Sequence, residues 1–336
     1  MPLASTLTDP GVEERPQPAL QRAPQIAMDF YSRQALNRRR TLLVLICFLL
    51  FFLALGLGLD TAWGGFLSPH GEPLPFVTLV AVALAVAMSV SAYFGGAQLV
   101  MASLCAQPLQ LDNPEHRQLF NVVTEMALAS GLPQPRLYVI PDPAPNALAA
   151  GRDARHAVLA VTQGLLNLLD REETQGVIAH EMAHISNRDT LTMTLVAILF
   201  GGAVMLADWA RRALFLGSER RRGNVLAFLV LLLLVAVTPL LSRLLAMAVS
   251  RQREYLADAT AAQLTRNPLG LAQALEKIGA ATSPLKAATR GTAHLFISNP
   301  LRRRVDEQRG VLADLLSTHP PLEQRIAILR AMAHSS

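Results

Sequence analysis

Cysteine is scarce in this sequence: Cys47 and Cys105 are the only two in 336 residues. That excludes a disulfide framework, and since both lie in or beside apolar runs they read as packing residues. Charge is scarce as well. Asp, Glu, Lys and Arg together make 16% of the chain, and the mean hydropathy is +0.32. So little charge excludes an ordinary soluble enzyme and points to a membrane protein with a sizeable polar part. No cleavable apolar core starts near Met1, so no signal peptide is expected. Internal repeats are absent too. The net charge of +5 comes almost wholly from arginine, so where the arginines fall matters more than their sum. No nucleic-acid partner is expected.

What is present is long apolar runs in pairs. Residues 1–37 carry prolines, scattered charge and little periodicity, which predicts a disordered N-terminal tail. "RRR" at 38–40 abuts the apolar run 41–59, and a second run extends from Phe76 to about Leu104. Each is long enough to cross about 30 Å of hydrocarbon. Arginine precedes the first run and neither Lys nor Arg occurs in 60–75. The tail is therefore expected inside and the short loop outside, giving two transmembrane helices over 38–105. Two further apolar runs, 190–207 and 225–241, form a second hairpin over 190–241 around the arginine-rich loop 208–224, which holds five arginines, one Asp and one Glu. If both runs cross, that loop lies outside, against the tendency of positive loops to stay inside. Two arrangements meet this: a hairpin that enters the bilayer without crossing it, or a first pair of spans that dominates orientation. The polar stretches 106–189 and 242–336 are expected to form the two parts of one catalytic domain.

Within 106–189 the local signals are clear. Asn113 as N-cap, Pro114 at the first helical position and Gly131 with Pro133 as the stop predict a helix. "PRLYVI" reads as a strand, and "NALAAG" and "HAVLAVT" as two more joined by the polar turn "RDAR". "REETQGVIAHEMAHIS" reads as a longer helix. The fold class expected is α+β, mainly helical, with four hydrophobic membrane segments.

That longer helix carries the chemistry. His180 and His184 stand at i and i+4, on one face, where two imidazoles can hold one metal ion. Glu181 lies about 100° further round. From there it reaches a water on the metal rather than the metal, which suits a general base for attack on an amide carbonyl. A third ligand is needed, and "SRQREYLADA", 250–259, offers Glu254. Asp258, four residues on, can accept the second N–H of a ligating histidine, His180 first. The bland alternative for Glu254 with Arg251 and Arg253 is a solvated charged face. Two imidazoles and one carboxylate favour zinc, one ion per chain. His184 directly precedes the third apolar run and Glu254 directly follows the fourth, so the ligands meet if the chain leaves and returns on one side of the membrane.

Taken together, "PNALAAG", "AVTQGLL", "VIAHEMAHISNRD", "SRQREYLADA" and "STHPPLEQRI" occur in this order over about residues 40–330. In this the chain resembles the HtpX-type membrane zinc metalloproteases, relatives of the type I CAAX prenyl proteases. The resemblance implies a gluzincin-like fold, with His180, His184 and Glu254 as zinc ligands and Glu181 as base. It implies endoproteolysis of misfolded or damaged membrane proteins, part of stress-linked quality control at the bacterial inner membrane, with the active site facing the cytoplasm. The lipid bilayer and membrane or unfolded protein substrates are the implied partners. Asn146 and Ala147 match an edge strand on which an extended substrate pairs, against the simpler reading of a turn asparagine. His319 matches an oxyanion-stabilising histidine, against that of a helix-entry residue. Asp189 either orients His184 or caps the next helix, and the cap is the reading preferred here. Arg325 is expected to brace the fold through a carboxylate. A narrow CAAX-type processing enzyme and a non-catalytic membrane scaffold are the alternatives. The scaffold predicts a broken ligand set or a missing base, whereas all four residues are present.

Overall fold

The computed structural model describes residues 19–62, 74–199, 201, 251–281, 283–289, 291–300 and 320–334, with backbone only for 19–34, 59, 61 and 62. The arginine-rich loop, the run 225–241, residues 1–18 and His319, for which the sequence carries expectations, lie outside these residues. Two helices in it are long and apolar enough to cross a membrane. The first helix, α1, runs from Ala19 to Ala62 and contains the span Ala35–Gly58; the second, α2, is Phe76–Ser103. Residues 19–37, expected to be irregular, continue α1 as helix. Ala, Leu, Gln, Arg and Met are strong helix formers, and an existing helix is extended far more readily than a new one is nucleated.

The two long helices form an antiparallel hairpin locked at its far end. Asp60 is fully buried there and caps α2. Its carboxylate accepts the Val77 N–H at 3.1 Å, the Thr78 N–H at 2.9 Å and the Thr78 hydroxyl at 2.6 Å. Close by, Gly56 faces Thr78 so tightly that a Cβ on it would lie 2.4 Å from the Thr78 Cα.

A four-stranded sheet follows: β1 (Gln107–Pro108), β2 (Arg136–Ile140), β3 (Ala147–Ala150) and β4 (Val158–Thr162), in the order β1-β2-β4-β3. β2 and β4 are parallel, in register Arg136 with Val158. The pairs β1–β2 and β3–β4 are antiparallel, the latter in register Ala147 with Val161. β3 and β4 are buried along their whole length. Alternate side chains enter two different cores. Ala147, Ala149, Leu159 and Val161 join the one built with helices α3 (Pro114–Ser130) and α5 (Arg171–Ser186). Leu148, Ala150, Val158 and Ala160 join the other, with the C-terminal end of α2 from Ala97 to Leu104. The sheet is thus sandwiched between the metal-site helix and the membrane hairpin.

α3 begins and ends where the sequence predicts: Asn113 accepts the Glu115 N–H at 2.9 Å, and Gly131 takes φ +66°, open to glycine at no steric cost. α4 (Gln163–Leu168) is a short connector. α5 opens with a capping box in which the Asp170 carboxylate and the Glu173 backbone N–H, and the converse pair, bond each other. The third apolar run appears as α6, Thr190–Leu199, a short helix buried against α1 and α2 through Leu195, Val196 and Leu199. α7 (Arg251–Thr265), α8 (Pro268–Ala280) and α9 (Leu322–His334) complete the described helices. α5 and α8 meet backbone to backbone: a Cβ on Gly176 would come within 2.7 Å of the Leu271 N. The expected α+β, mainly helical fold with a small sheet is what the structure has. Of the four expected membrane segments, two stand as helices of spanning length among the described residues.

The contact at Gly56 generates a prediction. Gly56→Ala forces α1 and α2 apart, at a cost of about 1–3 kcal/mol for overpacking. The check is thermal unfolding in detergent, which should show a lowered Tm; an unchanged Tm would mean that the helices do not pack at this point.

Candidate active site

α5 is buried all round: Val177, Ile178, Ala179, Met182 and Ala183 are fully enclosed. Such a helix needs every polar group it carries to find a partner. His180 and His184 do so pairwise. Their rings stand edge to face with centroids 4.7 Å apart, and the two Nε2 atoms are 3.2 Å apart. Glu254, on α7, closes the triangle, its Oε2 3.8 Å from His180 Nε2 and its Oε1 3.7 Å from His184 Nε2. One ligand atom from each of the three lies within 4.8 Å of the others.

The Nδ1 side of each ring is held by a carboxylate. Asp258 Oδ1 lies 2.9 Å from His180 Nδ1, and Asp189 Oδ2 lies 3.1 Å from His184 Nδ1. With both Nδ1 atoms engaged, both Nε2 lone pairs point at one place, beside a carboxylate. This donor set would fit a divalent metal ion, since two imidazoles and one carboxylate converge within reach of a single ion.

Each carboxylate in turn meets an arginine. Arg325, on α9, is fully buried and grips Asp258 with two bonds, Nε to Oδ2 at 2.8 Å and Nη2 to Oδ1 at 2.7 Å. Burial opposes ionisation of Asp258, but the Arg325 charge and its hydrogen bonds, with the bond to His180, prevail and hold it at about 2. Removing one partner of such a buried pair costs about 3–5 kcal/mol. On the other side Arg253 Nε stands 3.7 Å from Asp189 Oδ2. Arg253 is buried, and its guanidinium nitrogens have no hydrogen-bond partner among the described residues. Arg325 therefore stands where the sequence reading expected it, on a carboxylate. Arg253 does not lie on a solvated face, and nothing in its sequence neighbourhood beyond contact with Glu254 signals its burial.

Asp189 departs from the preferred expectation. Its side chain turns back to His184 instead of capping α6, and Oδ1 has no hydrogen-bond partner. The cause is local. Arg188 takes the left-handed conformation, φ +56°, which reverses the chain right after α5 and aims Asp189 at the histidine. Glu181 is buried, and its Oε1 has no hydrogen-bond partner. Burial above all, reinforced by Glu254 and Asp189 against the opposite pull of His184 and Arg325, raises its carboxyl to about 7. Asn146 and Ala147 lie at the start of β3, but their outward edge is engaged by the chain itself, since the Ile297 N–H donates to the Ala147 carbonyl at 3.0 Å.

Two predictions follow from the braces. Asp189→Ala removes the acceptor that orients His184 and should weaken metal binding about 10–100-fold, read by competition with a chromogenic chelator; unaltered affinity would show that Asp189 does not support the site. The second concerns pH. In the metal-free protein burial alone would lower the His184 pKa, but Asp189, then Glu254 and Glu181, raise it to about 9. An incoming ion must expel that proton. Affinity should therefore climb with pH up to about 9 and fall by up to about tenfold per unit below it. Metal affinity independent of pH would contradict the assignment of His184 as a ligand.

Comparison with known proteins agrees with this geometry. Residues 113–333 match Peptidase family M48. Over 309 residues the chain is 41% identical to the "Protease HtpX homolog" of Caldanaerobacter subterraneus subsp. tengcongensis, spanning 90% of this chain and 97% of that one. It is also 41% identical over 263 residues to the homologue of Thermococcus sibiricus, spanning 76% and 87%. Among solved structures, S. mikatae Ste24p is a distant likeness, with TM-score 0.44 and 19% identity over 75% of this chain and 57% of that one. The matched region contains the whole His180, Glu181, His184 and Glu254 constellation, and the chain belongs to peptidase family M48 as an HtpX-type metalloprotease, a hydrolase of peptide bonds.

Proposed function

We propose that the chain is a zinc-dependent endopeptidase that cleaves misfolded or damaged membrane proteins at the cytoplasmic face of the bacterial inner membrane. The observation that carries this reading is the convergence of His180, His184 and Glu254, with the buried Glu181 next in sequence to His180, its Oε1 without a hydrogen-bond partner among the described residues. His180, His184 and Glu254 would hold one zinc ion. When bound, the ion supplies Lewis acidity, bringing the pKa of water towards ~7.

The remaining work falls to the chain. Glu181, raised to about 7, is matched to taking a proton from the attacking water and passing it to the leaving amine near neutral pH. Asp258 and Asp189 hold the histidine tautomers, and Arg325 holds Asp258. Asn146 and Ala147 mark the sheet edge along which a substrate is gripped by its main chain, with little regard to sequence. His319, outside the described residues, would donate to the oxyanion.

The membrane setting rests on α1 and α2 as spans, with "RRR" at 38–40 before the first span and no Lys or Arg in 60–75 supporting an inward-facing catalytic domain. The apolar runs 190–207 and 225–241 would then form a second hairpin that leaves and returns on that same side.

Glu181→Gln should keep its metal and lose cleavage by about 10²–10⁴-fold, since only the proton acceptor is gone. A gel assay on casein beside a zinc measurement reads both, and an active Gln variant would sink the base assignment. Glu254→Ala, by contrast, should lose zinc and activity together.

A further inference from the structure

β3 is the last strand of the sheet, and a strand ending a sheet usually offers a row of unpaired backbone groups. Here the first part of that row is occupied. Leu148 stands opposite Phe296 in an antiparallel bridge, and the Ile297 N–H donates to the Ala147 carbonyl at 3.0 Å. Asn146 grips the next residue at both ends. Its Nδ2 donates to the Ser298 carbonyl at 2.9 Å, and its Oδ1 accepts the Ser298 N–H at 3.4 Å. The Ile297 carbonyl accepts from Arg325 Nη1 at 3.0 Å. That same nitrogen lies 3.7 Å from Glu254 Oε2, so the segment is one side chain away from the metal ligands.

These are contacts of the kind an extended peptide makes when it adds to a sheet edge: a main-chain bond to the strand, with successive side chains directed to opposite faces. Phe296 enters the core that contains Leu148, and Ile297 enters the core that contains Val177. The segment is also anchored beyond each end. His294 Nε2 bonds the Met193 carbonyl at 3.0 Å, and the Leu285 N–H donates to the Pro300 carbonyl at 3.1 Å.

We propose that Phe296–Ser298 occupies the place of the substrate, so that the enzyme is held closed by its own chain until an extended segment displaces it from β3. This rests on the peptidase reading above and on β3 as the substrate edge. It also specifies the substrate class. The incoming peptide must have free main-chain N–H and C=O groups, which folded proteins rarely present. It must also carry consecutive apolar side chains able to refill the sites left by Phe296 and Ile297. Unfolded stretches of membrane proteins meet both conditions, whereas a polar loop meets only the first.

The test is a reversible lock. In a chain with Cys47→Ser and Cys105→Ser, Leu148→Cys and Phe296→Cys are introduced. They face each other at a non-hydrogen-bonded antiparallel pair, where side chains come closest. Casein cleavage and zinc content are measured on the oxidised protein and again after dithiothreitol. Oxidation should lower cleavage about tenfold or more by emptying the competent state, with full recovery on reduction and the same zinc content throughout. Equal cleavage in both states would overturn the proposal. Phe296→Ala, with no disulfide, loosens the segment and should lower KM for casein while leaving kcat nearly unchanged. An unchanged or higher KM would overturn it independently of the lock. Wild type assayed alongside reports on the peptidase reading itself: wild type and Phe296→Ala that both bind zinc and both cut nothing reject that reading, and the proposal with it.

Discussion

The whole arrangement depends on holding two imidazoles, four residues apart, aimed at one point on the buried part of α5. A buried ring with a free N–H is expensive, and a ring that rotates is useless as a ligand. Both difficulties are met by the same device, a carboxylate on each Nδ1. A buried carboxylate creates its own desolvation cost, which Arg325 offsets with two short bonds on one side. Arg253 faces Asp189 on the other side at a longer distance. Four elements are drawn together by this chain of compensations: α5, the turn after it, α7 and α9. The fold around the metal site is therefore an electrostatic construction as much as a hydrophobic one.

The membrane hairpin is part of that construction. One face of the sheet packs on the same core as α5, and the other packs on the end of α2, while α6 leaves the site and buries itself between α1 and α2. Thr192 on α6 meets Thr41 on α1 at 2.7 Å, and the Asn37 amide donates to the Asn187 carbonyl at the end of α5 at 3.0 Å. The metal helix is thus tied directly to the base of the first apolar span. The candidate centre is thereby fixed to the end of a helix long and apolar enough to cross a membrane.

Much of this was legible in the residues because the relevant signals are local. The capped and stopped α3, the three main strands, the His180–His184 spacing and the Glu254–Asp258 spacing all follow from periodicity and caps. What was not legible depends on distant partners. Arg253 reads as a surface charge, because only the tertiary fold buries it. Asp189 reads as a cap, because the left-handed Arg188 that turns it back leaves no mark in a chain where glycine would be the usual signal. The engagement of the β3 edge was missed since Phe296–Ser298 lies about 150 residues from Asn146, and pairing at that distance has no sequence period. The start of α1 at Ala19 is hidden in the sequence because prolines and charge near the N-terminus mask a helix-favouring stretch that runs into a strong apolar helix.

The central claim is that His180, His184 and Glu254 form one metal centre on which peptide cleavage depends. Its most direct test is to purify the full chain in detergent with a chelator, remove the chelator, and titrate zinc back while following bound metal and casein cleavage together. The account predicts one ion per chain, with cleavage rising in proportion to occupancy. Cleavage that persists at full strength in the chelator, or zinc bound at unit stoichiometry by a His180→Ala, His184→Ala double variant, would contradict it.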